Sequence, residues 1–490
     1  MLKKVKNNYI SIIVVFVILL LTFIITMQSP LNIFSNKLIS GTDSSVFRTV
    51  AYYMREELMP YKDIFDHKGP IIYILNYIGM AISYNRGIWL IEFLSMFISL
   101  SFMYKTARLY CNKFLSILIL ILVSSPLFLF FEQGNLTEEY ALPFISISFF
   151  IFLDYLKNNK ISSFRLIVCG ISFGSVCLLR INMIPLWIVF CISIFIKELK
   201  DKNIRQLLRF CLYFILGMLI IILPIFIWLI INDAFIPFFE SYILFNLKYT
   251  SASSITLIDK LNSMDYFMTN SISLLVIAFS IFNIYKSRNF INISYIICLL
   301  LTYIFITLSG RTYPHYGMIL IPLFIYPLAY SFYLNKGKNE RFTLELITII
   351  LVFLFAFPSY FEGVIKASSD YNDRALNINN TSTTTEFAIA YDVISNTDED
   401  DKITVFGNNN IIYLLSKRMS VSKYTYQFPI LNIDKSIKKS YFTDLNEDKP
   451  KIIVKIYEDE AMKKFIEENN YVLISSYPYY DWNAEVYKIS

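Results

Sequence analysis

At 490 residues, with 56% hydrophobic side chains and a mean hydropathy of +0.52, the chain is too apolar for a water-soluble globule and reads as a polytopic membrane protein. Only 17% of residues are charged, and the formal net charge of +6 is carried by short basic loops between apolar runs, so no nucleic-acid partner is implied. The six cysteines have no metal-ligand spacing and none lies beyond Cys298, which excludes a disulfide scaffold and leaves them as small packing residues.

A bilayer core takes about 20 apolar residues per helix, and that ruler predicts about eleven spans. They are 9–28, 87–104, 114–131, 140–156, 164–179, 181–196, 210–231, 266–285, 290–308, 316–334 and 342–360. The first follows Lys3, Lys4 and Lys6 and reads as a retained anchor: it is long for a signal sequence, and TMQSPLN lacks a small-x-small cleavage site. The apolar piece 71–82 is too short to span and predicts an interfacial or re-entrant helix.

Basic clusters at Lys105–Arg108–Lys113, Lys157–Lys160–Arg165, Lys197–Arg209, Lys286–Arg288 and Lys336–Arg341 all fall on one side of this arrangement. The positive-inside rule then places the N-terminus in the cytoplasm and the C-terminal region outside. Composition changes near Phe361. Residues 366–390 predict a polar linker running into a helix. Beyond it, strands at 401–407, 449–457, 471–477 and 484–490 alternate with helices at 410–418 and 458–470. The expected fold is therefore an all-α polytopic membrane domain over residues 1–361, with a large first external loop at 29–86. A small extracytoplasmic α/β domain follows over 362–490.

The most distinctive stretch is Gly41–Pro70, a polar loop that holds Arg48, Glu56, Lys62 and His67 among apolar segments. Asp43 sits where a helix should begin, a common place for an acid that merely favours the helix N-terminus. The run PYKDIFDHKGP packs Lys62, Asp63, Asp66, His67 and Lys68 into seven residues, which suits either a loop tied by local ion pairs or a site for an anionic headgroup. The same predicted face carries Glu138 and Glu139 at a span start, and Arg311 and His315 at a span mouth. Arg180 lies in a short connection between spans. Arginine there can snorkel to headgroups or hold a phosphate by two hydrogen bonds. The acidic run 398–401 reads as a solvated turn. No phosphate-cradling glycine loop, zinc-ligand set or hydrolase elbow is present in the sequence.

At GTDSSVFRTVAYYM, PYKDIFDHKGPIIYIL and GRTYPHYGMILIPL, in that order, the chain resembles the GT-C glycosyltransferases. The resemblance is to the bacterial branch related to protein O-mannosyltransferases and lipid A aminoarabinose transferase. It covers most of residues 1–335 and implies sugar transfer from a polyprenyl-phosphate donor to a cell-envelope acceptor, with inversion, at the outer face of a bacterial plasma membrane. Asp43 matches the family's general base, and Lys68 its phosphate-proximal lysine. Asp63, Arg311, His315, Arg180 and Glu138 are carried as substrate-binding candidates. A lipid-phosphate leaving group implies no metal and no cofactor. The family's aminoarabinose branch has Lys-Pro-Pro where this chain has Lys-Gly-Pro, so the sugar is not carried across. The rival readings are an oligosaccharide polymerase or ligase and a lipid-linked sugar flippase. A transporter would gather polar residues at mid-membrane depth, whereas here they collect at one face.

Overall fold

The computed structural model describes residues 2–35, 39–251, 255–337, 340–376, 385–479 and 482–490. It is mostly helical and divides into two compact units. The first comprises 1–35, 88–225 and 255–372; the second comprises 36–87, 226–254 and 373–490.

Among the described residues, seven helices are long and apolar enough to cross a membrane: Gly87–Arg108, Lys113–Phe130, Thr137–Asn158, Ile204–Ile231, Phe290–Thr307, Pro314–Leu334 and Arg341–Ser369. These coincide with seven of the eleven predicted spans, and the chain is a multi-pass membrane protein. The predicted straight span 266–285 is instead two helices, Leu257–Thr269 and Ser273–Lys286, bent by 84°. The cause is the polar run between them. Thr269 and Asn270 bond back to backbone carbonyls of the preceding turn, and Ser271 to that of Phe267, which diverts the helix from its own ladder. The other three segments are helical but short, as Ser11–Thr26 within helix Leu2–Thr26, Ser163–Cys177, and Pro185–Lys200.

Small residues allow close packing in the first unit. A Cβ on Gly170 would lie 2.0 Å from the Phe214 carbonyl oxygen, and one on Gly217 would lie 2.1 Å from that of Ile167. Backbone therefore meets backbone there, and only glycine fits.

In the second unit, helix Thr42–Arg55 starts at Gly41, with Asp43 in its first turn and Arg55 in its last, each at the end its charge favours. Val46, Phe47, Val50, Ala51 and Tyr53 form its buried face. Pro70 occupies the first turn of the 13-residue helix Pro70–Ile82, where its missing N–H costs nothing. That helix packs on Thr42–Arg55 through the Phe47 and Tyr73 rings, 6.3 Å apart, and is too short to span, as predicted.

The polar linker expected at 366–390 is helical as far as Leu376, in helix Phe357–Leu376. Residues 377–384 of it lie outside the described residues, and the expected helix follows at Thr385–Ser395. All four predicted strands form: β1 (Ile403–Phe406), β2 (Ile452–Lys455), β3 (Tyr471–Tyr479) and β4 (Trp482–Ile489), in the order β1-β2-β4-β3. The parallel β1–β2 pair, in register Ile403↔Ile452, needs a crossover, supplied by helices between 411 and 447. One of these, Lys435–Glu447, was not predicted, because only Ile437, Tyr441 and Leu445 are buried in an otherwise polar run. Ile389 and Val393, with Ile403, Val405, Ile452, Val454 and Val486, build the core of this α/β domain.

Candidate functional site

The predicted site residues fall in both units: Asp43, Asp63 and Lys68 in the second, Glu138, Arg180, Arg311 and His315 in the first.

The loop between helices Thr42–Arg55 and Pro70–Ile82 is fixed by its own backbone and by the α/β domain. Glu57 and Tyr61 adopt positive φ, the Tyr61 N–H donates to the Ile64 carbonyl (2.7 Å), and the Phe65 N–H donates to the carbonyl of Lys423 (2.8 Å). Asp63 is exposed and accepts from the Met59 N–H (2.7 Å), so its carboxylate closes a turn of the loop.

Asp66 is fully buried and forms the polar centre. Its Oδ1 accepts from the His67 N–H (2.7 Å) and the Tyr426 hydroxyl (2.8 Å), and its Oδ2 accepts from the Tyr73 hydroxyl (2.7 Å). Burial pushes the Asp66 carboxyl up, but the hydrogen bond and charge of His67, together with Lys68 and Tyr73, bring it below the usual carboxylate range. His67 is held below its ordinary value, first by burial and then by the Lys68 charge, against the opposing pull of Asp66 and Asp43. Its ring stacks on Tyr249 at 5.7 Å, and its carbonyl accepts from the Asn246 amide (2.7 Å).

Lys68 follows directly. Its carbonyl accepts from the Tyr61 hydroxyl at 2.8 Å and the Tyr73 hydroxyl at 3.3 Å, which pins the backbone. Its ammonium lies 3.4 Å from His67 Nε2, and among the described residues no carboxylate is in ion-pair contact with it. Asp43 is half-buried, and among the described residues its carboxylate takes part in no hydrogen bond or ion pair. Its charge nonetheless acts on His67 and on Tyr426. Among the described residues, the helix start thus offers an acid without a hydrogen bond or ion pair, and the loop a cation without a carboxylate partner beside one buried polar centre.

In the first unit the candidates satisfy one another. Glu132, Gln133, Gly134 and Asn135 take positive φ in succession, a strained turn ahead of helix Thr137–Asn158. From this turn Glu132 accepts from the His315 backbone N–H (3.2 Å) and pairs with its ring Nδ1. Glu138, buried, pairs with Arg180 and accepts from the Thr137 hydroxyl (2.8 Å). The Arg180 guanidinium also lies over the Tyr316 ring at 4.2 Å. Arg311 is bonded to the Tyr313 hydroxyl at 3.3 Å. Both contacts lie where span ends meet; Glu138 is met by the Arg180 guanidinium and Glu132 by the His315 ring and backbone N–H.

Of the two readings the sequence left for PYKDIFDHKGP, a loop tied by local contacts describes Asp66 and His67, with Asp66 buried at its centre. Sequence reasoning missed Tyr426, which lies 360 residues from Asp66, and the role of Glu132 towards His315. Tyr426 carries no local signal, but the four-residue EQGN turn could have marked Glu132. Among the described residues no group of three or more His, Cys, Asp or Glu is arranged to hold a metal ion.

The fold is similar to that of ArnT from Cupriavidus metallidurans bound to undecaprenyl phosphate, at 11% identity and a TM-score of 0.64 over 98% of each chain. The Archaeoglobus fulgidus oligosaccharyltransferase in complex with Zn and sulfate superposes with a TM-score of 0.54 at 11% identity, over 89% of this chain and 68% of that one. The archaeal oligosaccharyltransferase AglB from the same organism, with an inhibitory peptide and a dolichol-phosphate, gives 0.50 at 12% identity over 96% and 74%. The fold observed is the one these structures share, a polytopic helical domain with a smaller C-terminal domain, as the resemblance led us to expect. No curated protein matches the sequence. Residues 3–343 match the family described as "Putative competence-induced protein Ccs4 N-terminal domain".

Proposed function

The chain belongs to the competence-induced Ccs4 family, and we propose that within a GT-C fold it transfers a sugar from a polyprenyl-phosphate donor to a cell-envelope acceptor. What supports this reading is that, among the described residues, Asp43 in the first turn of helix Thr42–Arg55 and Lys68 in the loop after that helix both lack an ion-pair partner, and both act electrostatically on His67. A flippase could use the cation but needs no general base. ArnT, whose fold this chain shares, is described with undecaprenyl phosphate, and AglB with a dolichol-phosphate; both lipids end in the group that Lys68 suits.

In the reaction, an acceptor hydroxyl attacks the anomeric carbon while Asp43 takes its proton as general base. The bond from that carbon to the phosphate oxygen breaks on the opposite face, inverting the centre. The lipid phosphate departs with one more negative charge than it had as the diester, and Lys68 stabilises that charge as it develops. Among the described residues, a half-buried carboxylate without a hydrogen-bond or ion-pair partner is available for the proton, and a lysine without a carboxylate partner is available for the anion. The charge distribution of the loops supports an outward-facing site and a cytoplasmic N-terminus. The contacts of Glu138 with Arg180 and of Glu132 with His315 support a positioning role for those four residues, since both carboxylates already have partners.

Purified protein offered a panel of polyprenyl-phosphate sugars with envelope glycan, lipid and peptide acceptors should transfer from at least one donor. The Asp43→Asn variant should keep its thermal midpoint and lose about 10²-fold or more in turnover. Transfer by Asp43→Asn at the wild-type rate would remove Asp43 as the base, and no transfer from any donor would return weight to the flippase.

A further inference from the structure

We infer that His67 is a positioning residue that aims Lys68: its neutral ring accepts from the lysine ammonium through Nε2 while Tyr426 and Asp66 fix the tautomer. This rests on the reading of Lys68 as the phosphate cation. The argument begins at Asp66. A carboxylate only accepts, so the Tyr426 hydroxyl, 2.8 Å from Asp66 Oδ1, commits its single proton there. The Tyr426 oxygen is then an acceptor towards His67 Nδ1, 2.9 Å away, and Nδ1 must carry the imidazole proton.

Asp66 Oδ1, 3.3 Å from the same nitrogen, favours the same assignment. With Nδ1 protonated and the ring neutral, Nε2 presents a lone pair. Lys68 Nζ, a donor only, lies 3.4 Å from it. The chain Asp66–Tyr426–His67–Lys68 therefore runs in one direction, each group donating to the one before it.

The consequence is specific. A flexible lysine stem is held at one nitrogen by an uncharged acceptor, which leaves its charge undiminished for an anion. A carboxylate in the same place would hold Lys68 more tightly and neutralise it. The ring face is used separately, against Tyr249 and Phe245. Stacking and lone pair can thus be tested apart.

The test measures binding of undecaprenyl phosphate to the full-length protein in detergent, with undecaprenol as the uncharged control. His67→Phe keeps the stacking ring and removes both nitrogens. His67→Gln returns an acceptor near the Nε2 position without the ring, and His67→Asn returns a polar atom only near Nδ1. The expected result is a loss of about tenfold in affinity for His67→Phe and His67→Asn, with His67→Gln close to wild type. Wild-type affinity in His67→Phe, or equal weakening of His67→Gln and His67→Asn, overturns the inference and leaves the phosphate reading of Lys68 standing. A wild-type protein that does not prefer undecaprenyl phosphate over undecaprenol, or a Lys68→Ala variant that binds it unchanged, removes that reading and the inference with it.

Discussion

Asp66 shows how one buried side chain sets the acid response of the loop. Three donors converge on it, so Asp66→Ala would leave the His67 N–H without its acceptor and take from two tyrosine hydroxyls their carboxylate partner in a buried site. A loss of about 3 kcal/mol is expected, read as a lowered unfolding midpoint. The two titrating groups act in the same direction. His67 is depressed in the folded state, so its contribution is complete above the unfolded value of about 6.5 and is lost as pH falls below it. Asp66 is also depressed, so its contribution is complete above about 3.9 and is lost as pH falls through its lower folded value. Thermal midpoints of the whole protein should therefore drop in two stages on acidification. His67→Phe should remove the first stage and, because His67 helps to lower Asp66, also weaken the second; a profile unchanged by that substitution would contradict the assignment.

At the scale of elements, the contact of helix Ser163–Cys177 with helix Ile204–Ile231 is set by glycine. A Cβ at Gly170 or Gly217 would fall 2.0 or 2.1 Å from a carbonyl oxygen of the facing helix, so there is no room for a methyl group. Gly217→Val must push the Ile167 backbone away and open the interface along its length. We expect a fall in detergent-solubilised thermal stability and in monodisperse yield, whereas Gly337→Ala, with nothing within 4 Å, should cost only the strain of its positive φ. Much of this level was legible in the chain. Seven spans and four strands were found because length and side-chain periodicity are local properties. The 84° break between Thr269 and Ser273 was not, since the apolar count across 266–285 outweighs a few serines and asparagines until their backbone hydrogen bonds are seen. Helix Lys435–Glu447 escaped for the converse reason: three buried positions in thirteen give too weak a stripe.

At the scale of the whole molecule, the basic loops predict an N-terminus in the cytoplasm and the α/β domain outside. A reporter enzyme active only in an oxidising compartment, fused after Ser490, should be active in intact cells; the same reporter fused after Lys160 should not. Inactivity at Ser490 would reverse the orientation and exclude an outward-facing site. The sequence by itself determined the membrane class, most helices, the α/β alternation beyond residue 400 and the candidate acid and cation, because each depends on residues near one another in the chain. Only the tertiary structure decided which of these side chains are spent and which are available. Asp63 is consumed by a turn, Glu138 by Arg180, and His315 by Glu132, while among the described residues Asp43 and Lys68 have no ion-pair partner. It also brought Tyr426 to Asp66 across 360 residues, a contact made by packing the first loop against the α/β domain within one compact unit. Pairing of charges is a matter of distance in space, and a sequence carries distance only along the chain.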